Sequence, residues 1–254
     1  MRRVFVYEFL SGGGEPGAGA DAADLRAAGV AMRDAIVADL RTLPGVAVTC
    51  AASAAAPAPA GVPSATPQRG EPATAFVRRL AARHDHAWVV APETGGVLAA
   101  LHEAVGPARW VGCRGDAIGV ASSKRATLLA LSAHGVATPL AFGGATRWVV
   151  KPDDGAGAGD TRVHADAAAA QADLARRRAA GRCATLEPWV EGEALSISLL
   201  AAGDGTVEAV AFNRQDVSVD ADGTLAWHGV RHHAIDPVRD ARAPRLHALA
   251  AAAG

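Results

Sequence analysis

Lysine is almost missing from this chain. It stands only at 124 and 151, although lysine and arginine together number 25. The composition favours arginine wherever any positive charge will serve. A lysine that persists under such a bias is a candidate for work that suits a compact ammonium and not a planar guanidinium. Cysteine is also scarce: Cys50, Cys113 and Cys183 lie far apart, with no C-x-x-C pair. That argues against a structural zinc site and fits a reducing cytoplasm, the expected compartment. The formal net charge is only -1, so no basic footprint points to nucleic acid. No apolar run is long and clean enough to span a membrane. The opening MRRVFVYEFLSGGG reaches Glu8 too soon for a signal peptide and reads as a strand. There is no G-x-S-x-G on which a Ser-His-Asp hydrolase could stand.

What is present is enough for two domains or one large one: 254 residues, half of them hydrophobic. Arg3–Phe9 reads as a strand stopped by Gly12–Gly14. From Asp21 to Leu40 the positions Leu25, Met32, Ile36 and Leu40 recur at helical spacing. Val46–Ala51 is a second strand, and the Ala/Pro-rich stretch after it reads as a mobile surface loop. ATAFVRRLAARHD, HAWVVAP, GVLAALHEAVG and RWVG then alternate helix and strand. This alternation predicts a Rossmann-like α/β domain with a mostly parallel sheet over residues 1–115. From SSKRATLLALSAHGVATP the character changes: Ser122 or Ser123 can cap a helix, and strands dominate beyond it. PLAFG, RWVVKP, CATLEPWV, ALSISLLA, TVEAVAFNRQ and TLAWHGVRH are the expected strands, with one helix from Asp166 to about Ala180. Turns such as GDG and ADG suggest antiparallel pairing and an α+β second unit.

Three segments carry chemistry. In WVVKPDDGAGAGD, Gly155, Gly157 and Gly159 follow the strand that bears Lys151, and glycine lets backbone N–H groups turn toward an anion. The loop reads either as a flap over phosphates or as an ordinary hairpin loop. It is neither a Walker A loop, since no G-K-[ST] opens a helix here, nor a dinucleotide fingerprint. Lys124 opens the helix one strand earlier, so two lysines from neighbouring elements could converge on a phosphate chain; two solvated lysines are the plainer alternative. In LEPWVEGEALS, the strand end from Leu186 to Val190 could pair with an adenine edge between apolar walls. Glu191 and Glu193 could take ribose hydroxyls, unless they only line a charged turn. His232 and His233 are adjacent on a strand and point to opposite faces, which argues against a metal site there.

In this order, SK…GVATP, WVVKPDDGAGAGD, LEPWVEGEALS and FNRQ, the chain resembles the ATP-grasp superfamily over nearly its whole length. VFVYEFLSGGG with VVAPETGGVLAAL is similar to a subgroup that includes the tyramine–glutamate ligase of methanofuran biosynthesis. The resemblance implies a Rossmann-like substrate domain (1–115) before an ATP-grasp domain of two α+β subdomains (116–190 and 191–254). It implies ATP as cofactor, with magnesium, and ATP-dependent carboxylate–amine ligation through an acyl phosphate. Carried over by position, Lys124 and Lys151 contact phosphates beneath a Gly155–Gly159 flap. Glu187, Trp189 and Val190 form the adenine hinge, and Glu193 or Glu191 serves the ribose. Arg214 stabilises the acyl phosphate while Asn213 and Gln215 hold substrate. In the first domain, Ser11, Gly12 and Glu93 follow strand ends where open α/β sheets bind ligands.

The chain also departs from that pattern. Ser123 stands where many relatives have aspartate, and Ala194 where the ribose glutamate commonly lies. No E-x-N follows Arg214: the remaining carboxylates are Asp216, Asp220, Asp222, Asp236 and Asp240, so the metal ligands are unassigned. The sequence reads as ending inside the helix before the expected acidic strand, and such a chain alone is expected to turn over little ATP. The expected partners are a small carboxylate and an amine, with a homodimer as the candidate assembly and neither nucleic acid nor membrane. The alternatives are a non-catalytic ATP-binding protein lacking the metal carboxylates, or an ATP-grasp kinase.

Overall fold

The computed structural model describes residues 1–15 and 22–253. It divides into two compact units, Met1–Gly119 and Val120–Gly254. In the first, the apolar runs form β1 (Arg2–Glu8), β2 (Val46–Ala51), β3 (Ser64–Ala65), β4 (His86–Val90) and β5 (Trp110–Val111). All pair in parallel, in the order β3-β2-β1-β4-β5. The intervening helices are α1 (Ala22–Thr42), α2 (Ala73–Ala81) and α3 (Val97–Val105), and α4 (Gly115–Ala121) crosses the unit boundary. Helical crossovers bury both faces of a parallel sheet, so β1 alternates between two cores. Phe5 and Tyr7 pack with Phe76 and Val77 of α2, while Val4 and Val6 pack with Val37 of α1. Sequence order reverses between β1 and β4, the switch point at which such sheets bind ligands beyond their strand ends.

Two expectations for this unit need correction. The buried face of α1 is Gly29, Arg33 and Val37, whereas Leu25 and Met32 are exposed; Ile36 and Leu40 only flank the core. Asp21, where the helix was expected to start, lies outside the described residues. Second, the Ala/Pro-rich stretch is packed against the unit. Fully buried Arg33 reaches the carbonyls of Ala51 (3.3 Å), Ala56 (3.0 Å) and Pro57 (2.7 Å), and Ala56 and Val62 join the interior. With Nε on the Asp34 carboxylate (2.8 Å), the guanidinium serves four acceptors at once, more than the three donors of a lysine. Gly29 has a separate reason: a Cβ there would lie 2.5 Å from Oε2 of the buried Glu8.

The second unit holds α5 (Lys124–Ala133), β6 (Trp148–Pro152), β7 (Arg162–His164), α6 (Ala167–Ala179), β8 (Ala184–Pro188), β9 (Leu195–Ala201), β10 (Val207–Val219), β11 (Leu225–Ile235) and α7 (Ala243–Ala253). These make two antiparallel sheets, β7-β6-β8 and β11-β10-β9. Ser123 caps α5 by accepting from Ala126 N, and Asp166 caps α6 through Ala169 N, as the residue types predict. PLAFG, expected as a strand, contains instead a 3-10 turn at Pro139–Ala141, because proline opens a helical turn readily. The β10–β11 turn closes one edge of the first sheet. Val163 N donates to Gly223 O (2.7 Å), Leu225 N to Thr161 O (3.0 Å), and Arg162 pairs with Asp222 (2.7 Å). Gly223 is required by that approach, since a Cβ would lie 2.2 Å from Val163 O. No helix among the described residues is long and apolar enough to cross a membrane.

Candidate functional site

The β7-β6-β8 sheet has one greasy face and one polar face. Trp148, Val150, Ala184 and Leu186 pack under Ala170 and Leu174 of α6. Alternation turns their neighbours the other way. Lys151 stands opposite Thr185, Val149 opposite Glu187, and Arg147 lies alongside Trp189, whose N–H donates to the Arg147 carbonyl (3.0 Å). On this second face Lys151 Nζ lies 2.8 Å from Glu187 Oε1, and the Glu187 side chain is only 3% exposed. The contact is an ion pair without good hydrogen-bond alignment. Thr185 Oγ1, Glu187 Oε1 and Trp189 Nε1 are all buried with no hydrogen-bond partner among the described residues. Three such atoms at every second position of one strand are unusual, because buried polar groups are ordinarily bonded. β8 is also the open edge of its sheet, and no backbone hydrogen bond is made along its outer side among the described residues. Val190, just beyond it, is exposed.

The glycine loop leaves β6 immediately after Lys151. Gly155 and Gly157 have left-handed backbones (φ 86° and 71°), as do Ala158 (φ 60°) and Asp160 (φ 51°); Gly159 does not. α5 is tied to the loop's beginning. Ser123 Oγ donates to Asp153 (2.7 Å), Arg125 N to the same carboxylate (3.0 Å), and Lys124 Nζ to the carbonyls of Asp154 (3.1 Å) and Gly155 (2.7 Å). The two lysines thus stand at one place, the C-terminal end of β6 and the mouth of the loop.

The remaining candidates are placed as follows. Glu193 is held by Arg214 and Arg242, and Arg242 also bonds Asp240 (2.7 Å). The Arg242 guanidinium holds the Asp240 carboxyl down to about 2. Glu191 is exposed and pairs with Arg147 (3.2 Å). Asn213 is buried, donating to Ser198 Oγ (3.0 Å) and accepting from His233 N (3.2 Å). Gln215 donates to Ser196 Oγ and accepts from Trp227 Nε1, each at 2.7 Å. Both amides are therefore engaged within the β9–β11 sheet, while Arg214 turns to the opposite face.

In the first unit, Ser11 and Gly12 follow β1 and Glu93 follows β4, flanking the switch point. Ser11 is fully buried, its N–H on Glu8 Oε2 (2.7 Å) and its hydroxyl on Glu8 O (3.3 Å). Gly12 is needed for space, since a Cβ would lie 2.5 Å from the Tyr7 ring. Burial, and then the Glu8 charge, push the Tyr7 phenol well above its ordinary pKa, and its hydroxyl is unpartnered.

Two contributors escaped the sequence reading. Thr185 sits on the Lys151 face, and extending the alternation of CATLEPWV would have found it. Arg177 is one of three consecutive arginines, yet only it is buried, because it lies three and seven residues after Leu174 and Ala170. Among the described residues no group of three His, Cys, Asp or Glu could hold a metal ion. Several late carboxylates are already engaged: Asp222 with Arg162, Asp236 with the amides of Val238 and Arg239, and Asp240 with Arg242.

Comparison with known proteins agrees with the fold. No curated protein matches the chain. Solved structures do. An ATP-grasp superfamily protein from Archaeoglobus fulgidus is similar at TM-score 0.67 and 16% identity, over 99% of this chain and 71% of that one. D-alanine–D-alanine ligase from Bacillus anthracis gives 0.60 and 14%, over 100% and 78%. L-amino acid ligase from Bacillus licheniformis gives 0.59 and 14%, over 100% and 60%. At such identities the likeness is one of fold. Residues 46–118 match the pre ATP-grasp 3 domain and residues 121–250, just over half the chain, the ATP-grasp domain; the chain belongs to the ATP-grasp family.

Proposed function

We propose that the protein is an ATP-dependent carboxylate–amine ligase, with nucleotide bound on the polar face and open edge of β8. The observation that carries the reading is the row of buried atoms that make no hydrogen bond among the described residues, Thr185 Oγ1, Glu187 Oε1 and Trp189 Nε1, with the Lys151 ammonium beside Glu187. A carboxylate acceptor and an indole donor on an edge strand suit a flat heterocycle with both donors and acceptors, as adenine has. Lys151 and Lys124 at the mouth of the glycine loop suit the phosphates that follow. The family and the fold of the neighbouring ligases support the same class of chemistry.

In this reaction a substrate carboxylate oxygen bonds to the γ-phosphorus while the bond to the β–γ bridging oxygen breaks and ADP departs. The amine nitrogen then attacks the acyl carbon, phosphate leaves, and a proton is lost from nitrogen. Catalysis is positioning and charge neutralisation. The two lysines neutralise phosphate, the glycine loop excludes water, and Arg214 faces the acyl phosphate once it is released from Glu193. ATP-grasp enzymes commonly use magnesium with ATP. The described residues do not assemble a site for it, so no step is routed through a metal. The likeness to the tyramine–glutamate ligase subgroup makes glutamate with an aromatic amine the first pair to try.

Two measurements test this. ADP release should require a carboxylate and an amine together; nucleotide binding without release across a wide panel would favour a non-catalytic binder. Calorimetry on Lys151→Ala should show ATP affinity lowered about 10- to 100-fold, as the loss of roughly 1.5–3 kcal/mol from a charged hydrogen bond implies. Unchanged affinity would sink the site.

A further inference from the structure

The glycine loop is secured differently at its two ends. At the start, Lys124 Nζ holds the Asp154 and Gly155 carbonyls at 3.1 and 2.7 Å. Ser123 Oγ, the Lys124 N–H and the Arg125 N–H also hold Asp153 at this end (2.7, 2.8 and 3.0 Å). At the far end the bonds belong to a buried guanidinium. Arg177, 4% exposed, donates from Nη1 to Asp160 O (2.7 Å) and Asp160 Oδ2 (3.1 Å), and from Nε to both oxygens of Asp173 (3.3 Å each). Asp173 is itself buried and further held by His164 Nε2 (3.1 Å) and Arg176 (2.9 Å), and Arg182 adds a bond to Asp160 (2.9 Å). Asp160 sits in the left-handed region, which a non-glycine residue occupies only with support. Between the ends nothing crowds the chain: a Cβ at Gly157 would meet no atom within 4 Å.

We propose that Arg177 is a positioning residue that fixes Asp160, and with it the far end of the glycine loop, so that the loop backbone is held where nucleotide phosphates bind. The proposal rests on the nucleotide reading above. An arginine is required because one rigid fork bridges Asp160 and Asp173 at once.

The test uses the full chain with Arg177→Lys and, separately, Asp160→Asn; the latter alters an exposed side chain and leaves the Arg177–Asp173 pair intact. Without nucleotide, amide exchange at residues 156–159 should rise about tenfold in either variant while β6 and β8 amides keep their rates. Affinity for a non-hydrolysable ATP analogue should fall about 5- to 20-fold, with adenosine affinity unchanged, and the double variant should be no worse than the weaker single. Equal losses for the analogue and adenosine would mark a merely structural role and overturn the proposal. So would unaltered loop exchange, or a loosened loop with undiminished analogue affinity. If the unaltered protein fails to bind the analogue, the nucleotide reading falls and the positioning role with it. The exchange arm then still reports whether Arg177 holds the loop.

Discussion

Two loops, one in each unit, are built on the same device and differ in how much of it they use. The Ala/Pro-rich stretch after β2 and the glycine loop after β6 each depend on a single buried arginine donating to loop carbonyls. Arg33 bonds three carbonyls spread over seven residues and draws the whole stretch inward. Arg177 bonds only the last residue of its loop and spends its other donors on Asp173. The first loop is consequently part of a core, with Ala56 and Val62 buried, while Ala156, Gly157 and Gly159 stay exposed. A guanidinium can therefore make a loop either a wall or a door, depending on how many carbonyls it holds.

The comparison breaks most sharply at Arg33. Arg33→Met strands three carbonyls inside the first unit and should cost about 3–5 kcal/mol, at roughly 1–3 kcal/mol for each unmet buried group with partial relaxation. Chemical denaturation would register it, and a cost below about 1 kcal/mol would show that the stretch does not depend on the arginine. The next effect is at Asp173. Burial works against its carboxylate, but hydrogen bonds from Arg177 and His164, with the arginine charges, outweigh it and hold the pKa below the ordinary value. A depressed carboxylate contributes stability that is complete above about pH 3.9 and drains away as pH falls through the lower folded value. Asp173→Asn keeps one acceptor oxygen and should lose about 2 kcal/mol at neutral pH, the scale of a charged hydrogen bond, and flatten that acid limb; an unaltered acid profile would show that Asp173 is not the group responsible. The smallest effect is Gly157→Ala. With no clash to relieve, only the left-handed backbone opposes it, for about 1 kcal/mol. The same change at Gly29 meets Glu8 and should cost visibly more.

Much of this organisation is legible from the residues. The switch from parallel to antiparallel sheets followed from strand spacing. Of the two serines offered as a cap it is Ser123 that caps α5, and the helix expected from Asp166 is α6, with Asp166 as its cap. The scarce lysines and the glycine loop, picked out separately, stand together at the C-terminal end of β6. What escaped had one cause: burial of polar groups. Leu25 and Met32 looked like the inner face of α1, yet the true face is glycine, arginine and valine, because the loop carbonyls and the Glu8 carboxylate lie behind it. Arg177 hid among identical neighbours, distinguished only by helical phase. Glu193 and Arg214, expected at ribose and at acyl phosphate, pair with each other across a partly exposed face. Propensity describes a residue's backbone preferences, while these placements depend on partners distant in sequence.

The unpaired edge of β8 has a consequence for handling the protein. If that edge serves a small molecule, as proposed, its open backbone groups are equally open to a strand from another chain, and the turn that closes the β7 side offers no cover here. On the proposed function the empty protein should therefore self-associate more readily than the nucleotide-filled one, the bound base acting as a stopper against aggregation.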